Sequence, residues 1–231
     1  MTPTSEHALT LLTAMLRDPS AVVQRMDAEG RFAVDGPRLL AFTVVGAALF
    51  GAVVGSYRGG LQVAFAALKM PVLLLLPGLV LLPALRALWA LGGGVEVSYR
   101  RLAAAALVGS ARSAVLAAAM GPILWLLWPM LGYHTAILWF CGVLAVAGAA
   151  GLTVVSRLVD GGLHAPVRLA GLALVGALSM QSGWMLRPFV ARPNTDVALV
   201  RPIEDDVFSS LGTTMESALR EDGYRRRRVD R

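Results

Sequence analysis

Acidic charge is almost missing from the middle of this chain. Between Asp35 and Asp196 only Glu96 and Asp160 are acidic, and both sit in short polar breaks, outside the apolar runs. That scarcity removes most coupled transport chemistry, because a proton- or sodium-driven carrier needs an ionisable or well-coordinated site at mid-membrane. Cysteine is nearly as scarce. The single Cys141, in ILWFCGVLAV, cannot form an internal disulfide or anchor a metal framework, and it reads as a small packing residue. His7, His134 and His164 have no spacing that metal binding requires. There is no HExxH, no GxSxG, no paired Asp and no Cys/His set, so no catalytic residue, cofactor or metal is expected and the chain is not read as an enzyme. Lysine occurs once, at Lys69, among 21 Lys and Arg in all. That bias, with the abundant Ala, Gly, Leu and Val, points to a GC-rich bacterial genome.

What remains is apolar. Of 231 residues 56% are hydrophobic and 16% charged, against about 25% charged in a soluble domain. A bilayer core of roughly 30 Å needs about 20 apolar residues per helix. The runs predict an all-α, polytopic membrane bundle of about five transmembrane helices, at about 39–57, 70–91, 112–131, 136–155 and 167–186. This 38–188 membrane domain is preceded by N-terminal amphipathic helices (1–37) and followed by a soluble tail (189–231). The start, TPTSEHALTLLTAMLRDP, has no basic residue before Arg17 and is not a secretory signal, so the first span is expected to serve as an uncleaved insertion signal.

The N-terminal segment predicts two short helices with apolar stripes, one through Leu12 and one through Val22, separated by the cap-and-restart pair Asp18-Pro19. Such faces lie on a membrane, dock on a partner or cover the bundle's own end. In the first span Ala47, Gly51 and Gly55 lie four apart, a face that admits a close helix neighbour from the same chain or from a second copy; packing within the chain is favoured. The stretch 61–69 predicts an interfacial or partly inserted lead-in ending at Lys69, which with Arg112 and Gln181 is a candidate polar residue of the membrane interior, though one able to reach an interface. Pro71, Pro77 and Pro83 follow, and each interior proline deletes a backbone hydrogen bond. A broken helix can mark a transport site, but no polar residue stands beside these breaks. Arg112 either lies inside the third span as a buried charge or snorkels to its edge, and the snorkel is favoured. Gly142, Ala145, Gly148 and Gly151 predict that span four runs through the bundle centre. Gln181, between Ser179 and Ser182, is the most polar point of any span. In the tail Phe208, Leu211 and their helical neighbours form an apolar stripe, and Arg225, Arg226, Arg227 and Arg228 a basic end that suits anionic lipid better than nucleic acid.

Basic residues near the span ends favour an N-terminus in the cytoplasm: Arg17, Arg25, Arg31 and Arg38 before the first span, Arg86, Arg100 and Arg101 around the second connection, Arg157 and Arg168 around the fourth. Five spans then place the tail, with its Arg run, on the outside, against the charge rule. A re-entrant 61–91 would return it inside, but the internal connections agree better with five crossings.

The run LRDPSAVVQRM leading into a first span, followed by further spans with the N-terminus inside, resembles the Yip/Yif type of small polytopic membrane protein. The stretch MQSGWMLRPFVARP is similar to the end of the last span in bacterial proteins of that build. The resemblance covers the spans and omits the tail. In eukaryotes the family is tied to vesicle traffic and Rab GTPases, a link that does not carry into a bacterial chain. It implies an architecture and a scaffold role, and it supplies no catalytic residue. The expectation is a non-enzymatic scaffold or accessory subunit of the bacterial inner membrane. It would sit in the lipid bilayer and bind protein partners, or a second copy, through its N-terminal helices and tail. The alternative is a transporter or channel subunit using the proline-broken span and the Arg112/Gln181 region.

Overall fold

The computed structural model describes residues 3–28, 30–91, 97–159, 165–187, 189–191, 199, 212–217 and 219–220, and no strand occurs among them. Two short helices come first, α1 (Pro3–Arg17) and α2 (Pro19–Ala28). The bundle follows: α3 (Phe32–Gly55), α4 (Leu61–Val80), α5 (Leu82–Leu91), α6 (Tyr99–Leu127) with a 3-10 turn at Trp128–Met130, α7 (Tyr133–Val159) and α8 (Ala165–Met185). Among the described residues, four segments are long and apolar enough to cross a membrane: Phe32–Gly55, Leu61–Leu91, Tyr99–Met130 and Tyr133–Arg157. Arg168, Ser179, Gln181 and Ser182 interrupt the apolar run of α8, which is not among them.

The local chemistry explains the boundaries. Asp18 accepts a hydrogen bond from the Ala21 N–H (3.1 Å) and caps α2, and Pro19 fills its first position. Ser98 caps α6 through the Arg101 N–H (3.1 Å). Gly59 and Gly60 turn the chain at φ +83° and +60°, where other side chains are strained. The stretch 61–69, expected as a lead-in, is instead the start of α4 proper, with Gln62, Ala66, Lys69 and Leu73 along its buried face. Gly51 and Gly55 make this possible. A Cβ on Gly55 would lie 2.5 Å from the Gln62 carbonyl oxygen and 2.6 Å from Val63 Cα, and one on Gly51 would strike the Ala66 carbonyl. With Ala47, also buried, the stripe is filled by α4 of the same chain.

The centre of the bundle is α6. It runs parallel to α3, with Gly46 against Ala114 and Gly121 against Val53, and antiparallel to α4 and α7. Span four does not run through the middle as its glycines suggested: α7 has the smallest buried share of the four segments. Gly148 meets nothing within 4 Å among the described residues, nor does Gly142, and the close approach to α6 falls at Gly151, which abuts Gly109 and Ser113. The rotation of α7 puts Gly151, Ala147 and Val143 inward and leaves Gly148 at the edge.

At one end of the bundle, the cap end, α1 and α2 fold onto α6. Leu11, Met15, Val22, Val23 and Met26 form one core with Leu39, Ala104, Ala105, Val108, Ala111 and Val154, and Leu12 packs against it. The apolar stripes through Leu12 and Val22, put forward as partner surfaces, are therefore covered by the chain itself. The reason lies in α6, which at 29 residues extends roughly 43 Å, well beyond a hydrocarbon core of about 30 Å. Its first three turns need apolar cover, and the amphipathic α1 and α2 supply it.

Candidate functional site

Polar side chains gather at three places. The first is Asp35, in the first turn of α3 and 1% exposed. Its carboxylate is ringed by Arg25 (3.1 Å), Arg38 (3.5 Å) and Arg31 (3.7 Å). Arg31 and Arg38 stand one helical turn away on either side, while Arg25 arrives from α2, so the knot ties the cap to the first span. Beside it Ser98 donates to the Asp27 carboxylate (3.2 Å), linking α2 to the start of α6. A buried carboxylate is stable only when paired, and here the pairing doubles as a fastening.

The second place is the interior of α6. Arg112 donates to the Ala150 carbonyl (3.3 Å) and to Thr153 Oγ1 (3.0 Å), both on α7. Ser113 donates to the Ala147 carbonyl (2.9 Å), and Ser110 to the Leu74 carbonyl (2.8 Å). The last bond falls beside the Pro77 break, one residue from the carbonyl that Pro77 leaves without its helical donor. Arg112 stands where the cap stops covering α6, which leaves roughly 28 Å of helix beyond it, close to a bilayer core.

The third place is the far end. Gln62, fully buried, donates to the Phe189 carbonyl (2.8 Å). The Lys69 ammonium lies 5.9 Å from the Phe189 ring centre, and that ring stacks on Phe140 (5.4 Å). Lys69 was expected to reach an interface; it is buried, because Phe189, Val190 and Ala191 fold back over the bundle after α8. Trp128 Nε1 donates to the Val53 carbonyl (2.9 Å) and Tyr57 to the Leu131 carbonyl (3.4 Å), closing the α3 and α6 ends together.

The residues singled out from sequence are thus not brought into one site. Arg112 reaches α7, Lys69 lies under Phe189, and Gln181 is exposed on α8 while its neighbour Ser182 faces inward. Among the described residues no group of three His, Cys, Asp or Glu comes together to hold a metal ion. Phe208, Leu211 and Arg225 to Arg228 lie outside the described residues; residues 212–217 and 219–220 are helical, with an Arg220–Glu216 pair. Sequence reasoning missed Asp35 and Gln62. The signal for Asp35 was the Arg31 and Arg38 spacing, and for Gln62 its seven-residue separation from Lys69, which places both on one helix face. No protein-family model, curated protein or solved structure matches this chain.

Proposed function

We propose that this chain is a non-enzymatic scaffold or accessory subunit, built from five spans in the bacterial cytoplasmic membrane with its N-terminus inside. The resemblance to Yip/Yif proteins belongs to the same proposal. Support for the fifth span comes from α8. Its Gly171 lies against Leu85 and Leu88 near the cap end, its Gly183 against Leu73, and the chain beyond it reaches Gln62 at the far end. So α8 and the segment after it run the length of Leu61–Leu91, and where that segment crosses a bilayer, α8 crosses beside it. Arg25, Arg31, Arg38, Arg86, Arg100, Arg101, Arg157 and Arg168 gather toward the cap end, against Arg58, Lys69 and Arg187 toward the other, which favours a cytoplasmic cap.

The observation that carries the scaffold reading is the cap itself. Its apolar face is spent on the bundle and tied down by Asp35, which leaves an outer surface exposing Leu9, Thr13, Ala21 and Gln24. Partners would meet that surface and the tail, in place of the stripes through Leu12 and Val22. The transport alternative draws less support, since Arg112 is engaged by α7 and Gln181 points away from the bundle. Photo-crosslinkers at Thr13 and Ala21 should capture one defined protein in cells, whereas a crosslinker at the exposed Val45 of α3 should capture none. A purified monomer that moves a solute across vesicles would overturn the scaffold reading. A reporter active only in the cytoplasm, fused after Arg231, should be silent, and activity would sink the five-span topology.

A further inference from the structure

A shallow cleft lies between α2, α6 and α7, lined by Ser20, Val23, Gln24, Arg101, Val154 and Arg157, with about 30 Å³ of space inside it. Val23 and Val154 are buried and form an apolar floor. The rim is all donors: a hydroxyl, an amide and two guanidinium groups. Ser20 also lies in the first turn of α2, whose N-terminus is capped by the Asp18 carboxylate. The described carboxylates of this end are engaged elsewhere. Asp18 caps α2, Asp27 accepts from Ser98, and Asp35 holds Arg25, Arg31 and Arg38. Among the described residues, therefore, two arginines share one cleft with no acid lining it.

We infer that this cleft binds a phosphate-bearing anion, held by Arg101 and Arg157 with Ser20 and Gln24 as neutral donors. Two guanidinium forks match the oxygens of a phosphate, and basic pockets between helices on the cytoplasmic side suit phospholipid headgroups. Arg101 lies roughly 16 Å along α6 from Arg112. With Arg112 at the edge of the hydrocarbon core, that puts the cleft beyond a headgroup layer about 5–8 Å deep, open to a soluble phosphate and, where α6 tilts, to a lipid phosphate. The site does not depend on the scaffold reading, since it needs no protein partner.

Full-length protein in phosphatidylcholine nanodiscs, with and without phosphatidylglycerol, tests it by native mass spectrometry, with inorganic phosphate as the soluble probe. Retention of phosphatidylglycerol that inorganic phosphate does not displace makes the ligand a lipid; binding of inorganic phosphate in phosphatidylcholine alone makes it soluble. In either arm each arginine is expected to contribute about fivefold, so R101Q/R157Q should weaken binding about 25-fold. R86Q, which removes one such charge elsewhere toward the cap end, should change it less than about twofold, against about fivefold for either R101Q or R157Q alone. Should R101Q/R157Q fail to fold, Q24E places a repelling carboxylate at an exposed rim position and should weaken binding in a folded protein. The site is refuted if neither probe binds, if a folded R101Q/R157Q or Q24E binds as the parent does, or if R86Q loses as much as R101Q or R157Q alone.

Discussion

Adding one methyl group to Gly51 or Gly55 should destabilise the protein, while the same change at Gly142 or Gly148 should not. A Cβ at Gly55 would stand 2.5 Å from the Gln62 carbonyl oxygen, about 0.9 Å short of the 3.4 Å at which ordinary contact begins. The obstacle is the backbone of α4, so no side chain can swing aside; the two helices must part along their tightest line of contact. Overpacking costs about 1–3 kcal/mol, and an obstacle that is backbone puts it in the upper part of that range, about 2–3 kcal/mol. Alanine is the better helix former by about 1 kcal/mol, which offsets part of that cost. The net loss should be about 1–2 kcal/mol for each of Gly51→Ala and Gly55→Ala. At 231 residues that lowers the melting temperature by roughly 2–8 °C. Among the described residues Gly142 and Gly148 meet nothing within 4 Å, so there the propensity gain stands alone and the melting temperature should hold or rise slightly. Thermal unfolding in one detergent, followed by tryptophan fluorescence, reads all four variants. The opposite order, with Gly148→Ala destabilising and Gly55→Ala neutral, would refute the packing and place a seam on α7.

Asp35→Asn should loosen the cap by about 1–3 kcal/mol; its arginine partners are 28–45% exposed and can return to water, which keeps the loss moderate. Limited proteolysis should then cut between α2 and α3 sooner than in the parent, and unchanged protection would refute the fastening role. Gln62→Leu removes the donor to the Phe189 carbonyl and should cost about 1–3 kcal/mol, while speeding cleavage after Ala191. The two sites lie at opposite ends of α3, so Asp35→Asn and Gln62→Leu combined should add within about 0.5 kcal/mol; a larger departure would show that the ends communicate. A double-mutant cycle between Arg112→Leu and Thr153→Val should give a coupling of about 0.6–1.7 kcal/mol, and zero coupling would mean that the interhelical bond does not form in the membrane.

The apolar runs made the helices legible, and so did the punctuation around them: Asp18-Pro19 and Gly59-Gly60 each stop or start an element by chemistry that acts within a few residues. What was not legible depended on partners far along the chain or on helix rotation. Gln62 looks out of place in an apolar stretch until the Phe189 carbonyl, 127 residues away, accepts from it. Asp35 shows two of its arginines locally, but its burial follows from Arg25 on another helix. Gly148 and Gly151 are equivalent in composition, and only the rotation of α7 against α6 selects Gly151 for the close approach. The stripes through Leu12 and Val22 were plain, but what they cover was set by the excess length of α6, and in the sequence the charge of Arg112 broke up the run that forms this helix.

That excess length organises the rest of the molecule. A helix longer than the bilayer is thick must either tilt or find apolar cover outside it, and α6 finds cover in α1 and α2. Once the cap is built, its inner face is committed to the bundle, and Arg25 is drawn to Asp35, closing the fold at that end. At the far end Gln62, Phe189, Tyr57 and Trp128 close it again. Between the two closures α3, α4, α6 and α7 touch closely through Gly46, Gly51, Gly109, Ala114 and Gly151 and through serine-to-carbonyl bonds. A chain so arranged has its freely presented donors and charges at the surfaces of the two ends, and the Arg101–Arg157 cleft is where two of them converge without an acid lining the space between.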